Sequence, residues 1–128
     1  MSGDVQVRGL DHVVFLVSDV EASIEWYRSL LGVEVERLEE WRRGEAPFVS
    51  LRIDATTIID LFASPEAPGT GINHVAIVID GDLDEIAGRP GLDVEGPPAD
   101  LWGAQGYGRG VYVRDPDGNL VELRVYAA

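Results

Sequence analysis

Gly9-Leu10-Asp11-His12-Val13 recurs as Gly71-Ile72-Asn73-His74-Val75, 62 positions further along the chain. The chain has two histidines, and both stand at the same place in this repeat. The same offset carries Ile59-Asp60-Leu61 onto Val121-Glu122-Leu123. Each half therefore keeps one imidazole near its start and one carboxylate near its end. Two imidazoles and two carboxylates are a donor set suited to a divalent metal ion. His12, Asp60, His74 and Glu122 are the candidate ligands.

Composition narrows the remaining choices. The 128 residues suit one domain, expected to span 1–128, and 45% apolar with 26% charged residues is globular composition. No run of 18 apolar residues occurs, and Met1-Ser2-Gly3-Asp4 lacks the basic start of a secretion signal, so a soluble cytoplasmic protein without membrane contact is expected. The absence of cysteine removes disulfides, thiolate ligands and cysteine nucleophiles. All ten basic residues are arginine, which removes Schiff-base chemistry. A net charge of −13 disfavours nucleic acid as a partner.

The pattern along the chain is α+β. A β-rich stretch, Leu10 to Val17, precedes Asp19, a helix N-cap type, and Gly32, a helix stop. Between them Val20, Ile24, Tyr27 and Leu31 recur at helical spacing and predict a buried stripe. Strands are expected near 33–38, 48–53 and 57–62, the last two joined by a tight turn at Asp54-Ala55. The second half repeats the order, with strands at 72–79, around Asp93-Val94, at 109–114 and at 119–126, and a short helix at 83–87. Each half thus reads as a β-α-β-β-β module, near 9–63 and 71–127, with a linker near 64–70. Asp115-Pro116-Asp117-Gly118 predicts a turn closing the final hairpin. The Gly-rich stretch 96–108, with Trp102 and Tyr107, reads as a flexible flap.

Strand alternation tests the metal reading, because side chains two apart share a face. His12 shares a face with Val14 and Leu16, opposite Val13, Phe15 and Val17. His74 lies opposite Val75, Ile77 and Ile79. Glu122 shares a face with Arg124 and Tyr126, opposite Val121, Leu123 and Val125. The candidate ligands therefore point away from the face expected to lie beneath the helices, and can converge in a cleft.

Leu10-Asp11-His12-Val13-Val14, Trp26-Tyr27-Arg28-Ser29-Leu30-Leu31-Gly32, Ile72-Asn73-His74-Val75-Ala76 and the run from Arg114 to Leu123 together resemble the vicinal oxygen chelate superfamily. That superfamily includes glyoxalase I, extradiol dioxygenases, fosfomycin-resistance enzymes, methylmalonyl-CoA epimerase and bleomycin-resistance proteins. Gly103-Ala104-Gln105-Gly106 and Val111-Tyr112-Val113-Arg114-Asp115 are similar to its glyoxalase-domain or dihydroxybiphenyl-dioxygenase-like group. The resemblance implies paired βαβββ modules with curled mixed sheets around one divalent ion (Fe, Mn, Ni, Co or Zn). It also implies ligands at His12, Asp60, His74 and Glu122, and a homodimer. Asp60 departs from the pattern, since glyoxalase I-like members carry a longer side chain there. Its alternatives are direct ligation, a base reaching the ion through water, or simple exposure.

The implied activity is metal-dependent chemistry on a small oxygenated substrate, of lyase/isomerase or extradiol-dioxygenase type. The alternative is a bleomycin-resistance-type protein that sequesters a drug or metabolite without turnover. Asp60, Tyr112 and Glu122 are the candidate catalytic groups; Tyr112 faces the site if it pairs with Glu122 across the last hairpin, and is otherwise an ordinary strand aromatic. Phe48, Ser50, Trp102, Tyr107 and Arg124 are candidate substrate contacts, with a salt bridge as the other reading of Arg124. Because imidazole binds metal only when deprotonated, metal affinity should fall as the pH drops below about 6. Titrating the metal-free protein with a divalent ion at descending pH checks this, and an affinity flat from neutral pH into mild acid rules out histidine ligation.

Overall fold

The computed structural model describes residues 5–64, 71–114 and 120–127. Its elements run β1 (Gln6–Val17), α1 (Val20–Leu31), β2 (Glu34–Glu36), α2 (Leu38–Arg42), β3 (Val49–Asp54), β4 (Thr57–Ala63), β5 (Gly71–Asp80), α3 (Leu83–Ala87), β6 (Asp93–Gly103), β7 (Gly106–Arg114) and β8 (Leu120–Val125). The protein is α+β. Two compact units are present, one of residues 13–73 and the other of the residues up to His12 together with those from His74 onward. Among the described residues no helix is long and apolar enough to cross a membrane.

In the unit of residues 13–73 the strands run in the order β2-β3-β4-β1, with β2-β3 and β3-β4 antiparallel. α1 begins where the sequence places it: the Asp19 carboxylate accepts from Ala22 N–H, satisfying a donor that the first helical turn leaves open. It ends at Gly32, whose φ of 66° is a left-handed conformation that a side chain would disfavour. Val20 and Ile24 of α1 pack with Val49, Leu51 and Leu61, and Phe15, Val17 and Tyr27 pack against that cluster. The predicted stripe is corrected at Leu31, which is 60% exposed, because it stands in the last turn where the chain leaves the sheet at Gly32.

The strand predicted to reach residue 38 stops at Glu36. Arg37 takes a left-handed φ of 66°, which no strand accommodates, and the chain turns into α2. Glu39 and Glu40 fall in the first turn of α2 and Arg42 in its last, charges that complement the helix dipole. The turn between β3 and β4 closes at Ala55-Thr56, with Thr56 N–H donating to Asp54.

In the other unit the order is β1-β5-β8-β7-β6, with β5 and β8 parallel and the β8-β7 and β7-β6 pairs antiparallel. α3 spans the predicted residues, and Asp82 caps it by accepting from Asp84 and Glu85 N–H. Leu83 and Ile86 pack with Ile79 and Val111, and Ile77, Leu123 and Val125 join them. The helix-covered faces of β5 and β8 are those the alternation assigns.

The flexible-flap reading of 96–108 is overturned. β6 and β7 pair from Asp93↔Arg114 to Gly103↔Gly106, with one register shift between Glu95 and Ala99. β6 ends the strand order, so Pro97-Pro98 can sit at that irregularity without breaking an interior ladder. Trp102 and Tyr107 are a cross-strand pair with ring centroids 5.3 Å apart. The linker near 64–70 falls outside the described residues apart from Ser64, and the 115–118 turn lies entirely outside them.

Replacing the Asp19 cap by alanine should destabilise the protein by about 1 kcal/mol. The urea midpoint should fall with an unchanged m-value.

Candidate metal centre

Three adjacent strands, β1, β5 and β8, carry His12, His74 and Glu122. β5 and β8 pair in parallel with Ala76 opposite Glu122, which leaves a methyl group beside the carboxylate and His74 two residues before it on the same face. His12 Nε2 and His74 Nε2 lie 3.1 Å apart, and each is 3.3 Å from Glu122 Oε1. Ligands held at about 2.1 Å from one ion stand about 3.0 Å apart at octahedral neighbours and about 3.4 Å apart in a tetrahedron. The observed triangle falls between those values. His12 and Glu122 side chains are 3% and 1% exposed, whereas His74 is 10% exposed and marks the open side.

A layer of hydrogen bonds holds this triangle. His12 Nδ1 lies 2.7 Å from Asp11 Oδ2, so an Nδ1–H donating there leaves the Nε2 lone pair facing the other two donor atoms. Asp11 also accepts from Ala104 N–H (2.9 Å) and from the Tyr126 hydroxyl (2.5 Å). Arg124 is wholly buried. Its Nη1 donates to Glu122 Oε2 at 2.6 Å, and its two Nη groups also donate to the carbonyls of Leu101, Trp102 and Gly106. Its Nε stands 3.7 Å from Asp11 Oδ1.

Charge balance points the same way as the geometry. Two buried carboxylates, Asp11 and Glu122, face one buried guanidinium, so with neutral imidazoles the cluster carries an excess negative charge suited to a cation. Burial pushes Glu122 upward, but the His12 and His74 imidazoles, when protonated at Nε2, and the Arg124 charge outweigh it and hold the carboxyl far below its usual range. Asp11 behaves likewise: burial is outweighed by hydrogen bonds from His12, Tyr126 and Ala104 and by Arg124. Burial and the bond to Asp11 push the Tyr126 phenol up to about 12.

The other sequence-predicted residues take the following places. Tyr112 pairs with Glu122 across β7–β8, and its ring meets that of His74 edge-on with centroids 5.2 Å apart. Trp102 and Tyr107 belong to the β6–β7 hairpin, and Tyr107 is 71% exposed. Arg124, a candidate substrate contact, is instead enclosed by Glu122 and three carbonyls. Asp60, Ser50 and Phe48 belong to the unit of residues 13–73. There Asp60 is buried and accepts from Ser50 Oγ at 2.6 Å, while Phe48 packs on Phe62. The group of mutually close ligand atoms found among the described residues is His12, His74 and Glu122.

Sequence reasoning missed Asp11 and Tyr126. Alternation assigns Asp11 to the face opposite His12, and the acid–histidine dipeptide was the available signal. The glycines of the supposed flap were also misread. A Cβ on Gly103 would collide with the Arg124 guanidinium and the Tyr126 hydroxyl, and one on Gly108 would lie 2.7 Å from the Val125 carbonyl.

A family model for the Glyoxalase/Bleomycin resistance protein/Dioxygenase superfamily matches residues 9–123. The chain belongs to this superfamily. Among curated relatives, a virulence protein of Salmonella typhimurium is 26% identical over 122 residues, covering 91% of this chain and 83% of that protein. The glyoxalase domain-containing protein RDO1 of Mycosarcoma maydis is 32% identical over 127 residues, covering 95% of this chain and 70% of the relative. Two solved structures share the fold. The Mn(II)-bound glyoxalase of Novosphingobium aromaticivorans aligns with a TM-score of 0.73 at 22% identity, over 97% of this chain and 40% of that one. A Streptomyces coelicolor methylmalonyl-CoA epimerase variant, in complex with 2-nitronate-propionyl-CoA, aligns with a TM-score of 0.70 at 24% identity, over 96% of this chain and 100% of that one.

Asp11 and Glu122 have folded values below their unfolded ones, so they add stability that is present above the ordinary carboxylate range and lost progressively as the pH falls from that range toward their lower folded values. Urea midpoints of the chelator-treated protein should therefore drop steeply below about pH 4. Asp11→Asn should flatten that acid limb.

Proposed function

We propose that the protein is a divalent-metal-dependent enzyme of this superfamily, acting on a small oxygenated substrate through an oxyanion in the manner of a lyase or isomerase. The observation that carries this reading is the buried triangle of His12 Nε2, His74 Nε2 and Glu122 Oε1, with edges of 3.1, 3.3 and 3.3 Å. His12 and His74 would hold the ion as neutral imidazoles and Glu122 through one carboxylate oxygen. Bound there, a divalent ion supplies Lewis-acid stabilisation of negative charge developing on a substrate oxygen. Tyr112, edge-on to His74 and in register with Glu122, is the group we assign to hydrogen-bond the substrate. The His12 and Glu122 side chains are 3% and 1% exposed, so bulk water meets the three donors from the side of His74, which is 10% exposed. The glyoxalase-domain relative supports the same class of activity.

The donor set itself favours a second reading. Two histidines and one carboxylate on one face also serve non-haem iron oxygenases, so ring cleavage of a catechol by dioxygen is the competing activity. Elemental mass spectrometry of protein purified without tags or chelators separates these readings. About one equivalent of metal is expected, and it should be lost in His74→Ala while the circular dichroism spectrum is retained. Manganese, nickel, cobalt or zinc supports the lyase or isomerase reading; iron, with oxygen uptake on catechols, supports the second. No metal, and none regained on adding divalent ions, overturns both and leaves a sequestering protein.

A further inference from the structure

We infer that Asp11 and Arg124 are positioning residues that together set the donor atoms of His12 and Glu122, and that the β6–β7 turn is the anchor on which both depend. The inference rests on reading His12, His74 and Glu122 as metal ligands. Each positioning residue acts on one ligand through the atom that faces away from the triangle.

Asp11 Oδ2 takes His12 Nδ1 at 2.7 Å, and the same oxygen accepts Ala104 N–H at 2.9 Å. Oδ1 accepts the Tyr126 hydroxyl, which in turn accepts Gln105 N–H at 3.2 Å. Two successive backbone amides of the turn therefore fix the carboxylate. With Asp11 as acceptor, a neutral His12 carries its proton on Nδ1 and keeps Nε2 bare.

Arg124 does the equivalent for Glu122. By engaging Oε2 at 2.6 Å it leaves Oε1 as the atom facing both imidazoles, so Glu122 presents that one oxygen to the triangle. The guanidinium is itself aimed by the carbonyls of Leu101, Trp102 and Gly106, which bracket the same turn. Gly103, between them, leaves the space that the guanidinium fills. The backbone of a single turn thus reaches two ligands carried by different strands.

Two measurements test this, the first without metal. Long-range ¹⁵N–¹H spectra of the metal-free protein at about pH 8, where imidazole is neutral, report the tautomer of each ring. Two histidines give two ring patterns, and His74→Ala assigns them. His12 is expected in the Nδ1–H form; that preference should be lost in Asp11→Ala and restored in Asp11→Asn, which keeps an acceptor. An Nε2–H form in the wild type overturns the role of Asp11.

The second measurement is zinc affinity by competition with a chromophoric chelator. Asp11→Ala and Arg124→Lys should each bind about 10–100-fold more weakly while unfolding cooperatively, with Asp11→Asn intermediate. Arg109→Gln, which breaks an exposed pair with Asp84, should match the wild type. Wild-type affinity in both folded variants overturns the positioning alone. Absence of zinc binding in the wild type overturns the metal reading beneath it, whatever the tautomer.

Discussion

A guanidinium removed entirely from water must have its donors met, and Arg124 imposes that requirement on everything around it. Three backbone carbonyls and the Glu122 carboxylate meet it at the two Nη groups, while Nε faces Asp11 Oδ1 at 3.7 Å without a hydrogen bond, and each partner fixes a piece of structure. The carbonyls set the conformation of the β6–β7 turn, and the lack of side chains at Gly103 and Gly108 is the space this arrangement occupies. Glu122 is held by one oxygen and presents the other. Removing either partner of so buried a pair strands the remaining charge, which is why Glu122 and Arg124 behave as one unit and not as a ligand with an accessory.

Positions 62 apart in the sequence repeat share a pairing register but not their side-chain chemistry. Ser50 pairs with Asp60 on β3–β4 just as Tyr112 pairs with Glu122 on β7–β8, at equivalent positions of the two halves. In one, a serine hydroxyl occupies the carboxylate at 2.6 Å. In the other, the cross-strand partner is a phenol lying against an imidazole, and the carboxylate is turned by an arginine that has no counterpart, Phe62 standing at the matching place. The same cross-strand pairing thus carries side chains with different partners.

How much of this was legible depended on the range of the forces involved. Asp19, Gly32 and Asp82 act within a turn of their own helices, and their effect can be read from a few neighbouring letters. Alternation placed His12, His74 and Glu122 because burial of one strand face is a periodic constraint. Residues 96–108 defeated the same reasoning. Glycine and proline there carry loop propensity, but the pairing partner and the Arg124 side chain that justify them lie elsewhere in the sequence. Arg37 turned a predicted strand into a helix through a backbone angle that arginine seldom adopts. Asp11 escaped because its partners, Ala104 and Tyr126, are remote, and its own neighbour His12 was assigned to the opposite face.

The parallel pairing of β5 with β8 has a consequence for folding. The strands that carry His12, His74 and Glu122 are adjacent in space but remote along the chain: His12 meets His74 across 62 residues, and Tyr126 reaches Asp11 across 115. The extra loop-closure entropy is small, since each doubling of a loop costs only about 0.6 kcal/mol. The cost falls instead on time, because contacts of such range form late and slow the search. The centre is therefore absent from any intermediate in which β8 has not docked on β5. An ion held by these three side chains would select the completed fold and leave its precursors unaffected, acting mainly as a brake on unfolding.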